Sequence, residues 1–252
     1  MGDSSSDDDN SVGDRKEKKD EHQKSDYMVQ AVMQNVAGID IPVLNAGAIE
    51  MPDPKFGVSL LFLGSTRSGK TTLLNYFFKR HFQNHISMLM SNSLNSDAYD
   101  YLKKRCLTSD YYFPELLKEC YKINHGTKNH YEFLALIDDI PDKREDVEIK
   151  RLLTIMRNSR ISCMICAQIA TMVNKMARSN INYVFLGRMN SSSEIERNIK
   201  DYLQGHLPSK MRMTEKIQLY KKWTEHFTWI VLDQINGTMF LTRLLPNQII
   251  GT

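Results

Sequence analysis

Eight residues constrain this chain more than any other stretch. Gly64-Ser65-Thr66-Arg67-Ser68-Gly69-Lys70-Thr71 satisfies the pattern G-x-x-x-x-G-K-[ST] at every fixed position. The pattern carries chemistry only with a strand before it and a helix after it, and both are legible. Val58-Ser59-Leu60-Leu61-Phe62-Leu63 is a short apolar run suited to a central strand buried on both faces. Thr72-Leu73-Leu74-Asn75-Tyr76-Phe77-Phe78 continues as a helical pattern. The glycines let the backbone curl so that successive N–H groups point at phosphate oxygens. Lys70 then reaches the β and γ phosphates, and Thr71 offers a hydroxyl to Mg²⁺. The predicted binding set is therefore Gly64, Ser65, Thr66, Arg67, Ser68, Gly69, Lys70, Thr71 and Thr72, with ATP and Mg²⁺ as cofactors. A chance glycine-rich turn before a helix is the competing reading, and the flanking elements argue against it.

Apolar runs resembling the first recur at residues 85–91, 132–138, 161–167 and 182–187. Helix-like segments separate them around 70–83, 97–105, 114–122, 143–157 and 192–204. Such alternation predicts an α/β fold, a parallel sheet flanked by helices in the manner of P-loop NTPases. Residues 227–233 and 238–244 flank an Asn236-Gly237 pair that suits a turn with positive φ, which predicts a C-terminal β-hairpin.

A phosphate-binding loop needs a second group for its metal, and a hydrolase needs something to orient water. Leu134-Ala135-Leu136-Ile137-Asp138-Asp139 offers both at the end of an apolar strand. Asp138 is predicted to hold Mg²⁺ and Asp139 to polarise the attacking water, although an Asp-Asp pair at a strand end is also common in ordinary loops. One strand later, Ile161–Ala167 ends in Gln168. If that strand lies between the loop strand and the Asp138 strand, the Gln168 amide stands near the γ-phosphate, where it would position water or report nucleotide state. Helix capping is the plainer role for such a glutamine.

With 41% hydrophobic residues in 252, the chain can bury one sizeable core. Residues 1–26 carry nine acidic and five basic side chains and almost nothing apolar, so a disordered tail is expected there. Residues 27–55, interrupted by Pro42, Pro52 and Pro54, read as an arm leading into an ATPase domain over 56–252. No stretch approaches the roughly 18 to 20 apolar residues of a membrane span, and the N-terminus lacks the basic-then-apolar order of a signal peptide. A cytosol-like compartment and reduced thiols follow as expectations for Cys106, Cys120, Cys163 and Cys166.

GSTRSGKT (64–71), LIDDIP (136–141), MRNSRISCMICAQ (156–168) and ARSNINYVFLGR (177–188) together resemble the DNA-packaging ATPases of large double-stranded DNA viruses and virophages, within the FtsK–HerA superfamily. The likeness covers about residues 57 to 205. It implies a RecA-like sheet in the additional-strand order and a homo-oligomeric ring that translocates double-stranded DNA into a preformed capsid. A capsid or portal-vertex partner and a place at the viral assembly site in the host cytoplasm, or on the virion, are implied with it. The family has an Arg before its fourth strand, a Gln at that strand's end and an Arg-x-Asn element before the fifth. Arg157, Gln168 and Arg178-Ser179-Asn180 match these positions. Two departures stand out: Asp139 occupies a position where many members carry Glu, and Asn158 follows Arg157 where many viral relatives have His. Arg178 heads the candidates for an arginine acting on a neighbour's ATP, with Arg157 next and Arg160 adjacent.

Other signals have blander readings. Cys163 and Cys166 form C-x-x-C, but residues three apart on a strand face opposite sides, so buried packing outweighs a metal site. Asn174-Lys175-Met176-Ala177 lacks the carboxylate of a guanine-reading motif. Lys210, Arg212, Lys216 and Tyr220-Lys221-Lys222-Trp223 form a basic helical stretch that suits a phosphate backbone or, more commonly, a solvated face. A small-molecule kinase would share Lys70 and Asp138, but no arginine-rich lid is visible. A degenerate loop module serving only as an oligomeric scaffold is a third reading, and the intact Gly69-Lys70-Thr71 and Asp138 argue against lost nucleotide binding.

Overall fold

The structure is a computed structural model that describes residues 31–36, 38–53, 56–138 and 147–244. The expected tail over 1–26 and the candidate Asp139 lie outside the described residues.

Ten strands form one sheet: β1 (Val32–Val36), β2 (Ile39–Asn45), β3 (Ser59–Leu63), β4 (Ile86–Ser91), β5 (Leu107–Ser109), β6 (Phe133–Asp138), β7 (Ile161–Ala167), β8 (Tyr183–Leu186), β9 (Trp229–Asp233) and β10 (Thr238–Arg243). Their order across the sheet is β1-β2-β10-β9-β8-β3-β7-β6-β4-β5. From β8 to β5 every neighbouring pair is parallel. The strand before the loop, β3, therefore has β7 on one side and β8 on the other, and β7 separates it from β6. That is the arrangement on which the role of Gln168 depended.

The helices are α1 (Lys70–Phe77), α2 (Asp100–Lys103), α3 (Pro114–Gly126), α4 (Val147–Thr154), α5 (Lys175–Arg178), α6 (Ser192–Asn198) and α7 (Met213–Trp223). Both α1 and α6 end in a π-helical turn, at Phe78–Phe82 and Ile199–Leu203. The central strands are buried along their whole length because helices cover both faces. Successive residues alternate between two cores. Leu60, Phe62, Leu134, Leu136, Met164 and Phe185 pack with α1, while Leu61, Leu63, Ala135, Ile137, Ile165 and Val184 pack with α3, α4, α6 and α7. Cys163 falls in the second core and Cys166 in the first, as the strand period requires. Burial holds the Cys163 thiol up at about 12, so it stays protonated and packs as a small apolar group.

The hairpin at the C-terminal end is present as β9 and β10, antiparallel. Gly237 takes φ +64° in its turn, and the Asp233 carboxylate accepts from the N–H groups of Ile235 (2.9 Å) and Asn236 (3.0 Å). The segment read as an arm contributes two strands instead. β2 runs parallel to β10 from Val43 onward, so Pro42, which has no N–H, lies just before that ladder begins. The three-residue β5, too short for a periodic pattern, had no visible signal in the sequence.

Candidate functional site

Strand β3 ends at Leu63, and the chain turns at once into the loop. The Gly64 N–H donates to the Ala167 carbonyl at 3.2 Å, which ties the loop to the end of β7, and the Ser65 N–H donates to the Arg188 carbonyl at 2.9 Å, which ties it to the end of β8. A side chain at Gly64 would collide with the Ser68 hydroxyl, so the tight curl needs glycine there. Gly69, at φ +94°, supplies the left-handed residue that starts α1. The first N–H groups of α1 have no partners within the helix, and they face the loop's concave side with the helix dipole behind them. The Ser68 hydroxyl oxygen is buried without a hydrogen-bond partner in the protein. Lys70, 8% exposed, lays its ammonium across this cradle, donating to the carbonyls of Gly64 (2.7 Å) and Ser65 (3.1 Å). A cation and a nest of N–H groups converging on one small volume fit a polyphosphate.

The second half of the site comes from β6. The Thr71 hydroxyl donates to Asp138 Oδ2 at 3.2 Å across 67 residues of sequence. One hydroxyl and one carboxylate are a donor set for a hard cation that keeps several waters and binds phosphate oxygens, the habit of Mg²⁺.

Tyr99, not anticipated from sequence, completes the environment of Asp138. Its hydroxyl donates to the same Oδ2 and accepts from Ser91 Oγ at 3.3 Å. Burial, and then the neighbouring carboxylate, push the Tyr99 hydroxyl well above its ordinary pKa, so it remains a donor. Asn75 on α1 fixes the segment that carries Tyr99 by donating to the carbonyls of Ala98 (2.8 Å) and Thr71 (2.9 Å). Tyr99 stands eight residues past the end of β4 on a 3-10 turn, where neither period nor motif marks it.

Gln168 is exposed and directly follows Ala167, whose carbonyl holds Gly64, so its backbone stands at the loop's edge at the end of β7. The arginines stand elsewhere. Arg157 lies on the 3-10 turn entering β7, its backbone packed against Gly57 just before β3. Arg160 lies at the same turn, 3.9 Å from Glu132. Arg178 is 9% exposed and bonded to Asp201 at 2.6 Å. Asn180, two residues on, accepts from the Ser59 hydroxyl at the start of β3. Arg157 and Arg178 thus occupy the rim where the parallel strands begin, and the phosphate cradle occupies the rim where they end. The five residues of β3 separate the two rims by about 16 Å.

No protein-family model matches the chain, and no curated protein sequence matches it significantly. Solved structures do share its fold. B204, the DNA-packaging ATPase of Sulfolobus turreted icosahedral virus, superposes with a TM-score of 0.56 at 13% identity, over 77% of this chain and 100% of that one. The genome packaging NTPase B204 of Sulfolobus turreted icosahedral virus 2, in complex with AMP, gives 0.54 at 13% identity, over 75% and 98%. ATPases 2 and 3 of EssC from Geobacillus thermodenitrificans give 0.53 at 12% identity, over 89% of this chain and 47% of that one. The fold is that of a P-loop NTPase, and its likeness falls on the group of proteins to which the motifs pointed.

Proposed function

We propose that this chain is the ATP-hydrolysing subunit of a ring that moves double-stranded DNA, packaging a viral genome into a capsid. The observation that carries the ATPase reading is the Thr71–Asp138 hydrogen bond at the mouth of an intact phosphate-binding loop. A scaffold that had lost nucleotide chemistry would have no reason to keep a carboxylate and a hydroxyl converged beside Lys70. Lys70 and the loop N–H groups hold the β and γ phosphates. Thr71 and Asp138 would hold Mg²⁺, which supplies neutralisation of charge between phosphate oxygens. Gln168, at the end of the strand between β3 and β6, orients the attacking water or reports the state of the γ-phosphate, and Asp139 polarises that water. Water attacks the γ-phosphorus, the bond to the β–γ bridging oxygen breaks, and ADP and phosphate leave.

The DNA and packaging parts rest on the four motif segments in family order and on the fold shared with packaging NTPases. No helix among the described residues is long and apolar enough to cross a membrane. The test is phosphate release from ATP by purified protein without an added acceptor, with and without double-stranded DNA. Wild-type protein should hydrolyse ATP faster with DNA, and Lys70→Ala should lose hydrolysis while keeping its circular dichroism and melting temperature. Full turnover in Lys70→Ala would overturn the site, ADP formed only with a small-molecule acceptor that becomes phosphorylated, and without free phosphate, would make the protein a kinase, and indifference to DNA would remove the translocase reading.

A further inference from the structure

The order of the sheet gives the phosphate site two unlike sides. Toward β7 and β6 stand Gln168 and Asp138, the side of the metal and the γ-phosphate. Toward β8 and β9 stands a pair of aromatic rings. Trp229, the first residue of β9, is 2% exposed and lies so close to Gly187 that a Cβ there would come within 2.5 Å of its ring. Phe227, two residues earlier, is 68% exposed. It is turned outward by two consecutive non-glycine residues in the left-handed region, His226 at φ +52° and Phe227 at φ +57°. L side chains rarely adopt that conformation, and it persists only where the surroundings hold it, commonly at sites that bind or act.

Phe227 forms the wall between two cavities. One, of about 190 Å³, is lined by Arg67, Ser68 and Arg188 among others. The other, of about 160 Å³, is lined by Gly69, Thr72, Leu73, Phe227, Trp229 and Leu244. The second opens directly onto the first turn of α1, where a nucleotide leaves the loop with its α-phosphate and sugar. It is almost wholly apolar, it has an aromatic face on one wall, and it lies on the side of β3 away from Asp138. A base on a triphosphate whose γ end points toward β6 has to emerge there.

We infer that Phe227 is the stacking platform for the nucleotide's base, and that this site recognises the base by its face. Bases bind aromatic side chains through their π faces with little regard to identity. Selection among purines needs hydrogen bonds to the base edge. Among the described residues of the cavity's lining, the Thr72 hydroxyl and the Trp229 indole N–H are the side-chain hydrogen-bonding groups, too few to read a base edge in full, so ATP and GTP should bind within about tenfold of each other. The inference deepens the ATPase reading and rests on it.

Calorimetric titration of the full chain with ATP, GTP and inorganic tripolyphosphate, each with Mg²⁺, tests it. Phe227 is exposed, so its removal opens no core. Phe227→Ala should weaken ATP and GTP by roughly tenfold or more and leave tripolyphosphate within about twofold, and Phe227→Tyr should restore the nucleotides. The platform is overturned if Phe227→Ala leaves nucleotide affinity unchanged, if it weakens tripolyphosphate equally, or if wild-type protein prefers ATP to GTP by more than about a hundredfold. Wild-type protein that binds tripolyphosphate as tightly as ATP also overturns the platform but leaves the phosphate site standing. Protein that binds neither overturns the ATPase reading and the platform together.

Discussion

Asp138 Oδ2 accepts from two hydroxyls, those of Thr71 and Tyr99. The carboxylate is 4% exposed, and a buried anion is tolerable only when it is hydrogen-bonded. Tyr99 is therefore a positioning residue: it fixes the carboxylate's rotamer and satisfies part of its charge, while Ser91 Oγ donates to the Tyr99 oxygen in turn. Tyr99→Phe keeps the ring's packing and removes the hydroxyl, and with it the bond to Asp138 and the bond from Ser91. It should lower unfolding stability by about 1 to 3 kcal/mol, the usual cost of leaving a buried polar group without its partner, as measured by urea denaturation. It should also raise the Mg²⁺ concentration needed for half-maximal nucleotide binding, because the carboxylate then has more rotamers to lose. A variant as stable as wild type, with the same Mg²⁺ dependence, would show that Tyr99 does not orient Asp138.

At the scale of elements, α1 and the π-helical turn that prolongs it carry the loop's geometry into the core. Leu73, Leu74, Phe77, Phe78 and Phe82 are all buried against the sheet. The same turn holds His81, whose Nε2 is buried without a hydrogen-bond partner. Burial first, and then the neighbouring Arg80 guanidinium, lower the His81 pKa from 6.5 to about 4. Burial also lowers His85 and His206. A histidine whose folded pKa is depressed binds its proton more readily when unfolded, so it contributes stability that is fully present above pH 6.5. That contribution is lost as the pH falls from about 6.5 to about 4. Melting temperature should therefore decline across this window. His81→Gln should flatten part of the decline, which a thermal unfolding series in matched buffers would read. A slope unchanged by the substitution would assign it to His85 and His206.

At the scale of the whole molecule, the two rims of the parallel strands hold different candidate residues. Lys70, Thr71, Asp138 and Gln168 gather at one rim; Arg157 and Arg178 stand at the other, about 16 Å away along β3. In their own chain neither arginine reaches the phosphate cradle, so a role for either in hydrolysis requires a neighbouring subunit. Geometry ranks them in the order opposite to the motif resemblance. Arg178 would have to abandon the Asp201 carboxylate at 2.6 Å, whereas Arg157 is partly exposed on a surface turn. Mixtures of Lys70→Ala with Arg157→Ala subunits should regain hydrolysis, since one interface then pairs an intact loop with an intact arginine. Arg178→Ala should keep hydrolysis without any mixing and should lose about 2 kcal/mol of stability from its broken charged hydrogen bond to Asp201. Loss of hydrolysis in Arg178→Ala and its rescue by Lys70→Ala instead, in mixtures shown by native mass measurement to be mixed rings, would reverse the ranking.

What could be read from the amino acids was what is local and periodic. The loop, the apolar strands beside it, Asp138 at the end of one and Gln168 at the end of another all follow from residue type and short-range spacing, because a strand buried on both faces writes itself as a continuous apolar run. The Asn-Gly turn between β9 and β10 was legible for the same reason. Tertiary structure alone decided what depends on residues far apart in the chain. It put Tyr99 on Asp138, placed Phe227 and Trp229 against a loop more than 150 residues earlier, and joined β1 and β2 to the sheet through β10. Strand order is set by how helices and sheet share two cores, and that packing leaves no period in the sequence. The outward turn of Phe227 is set by a backbone conformation that non-glycine residues seldom take, so no residue type announces it.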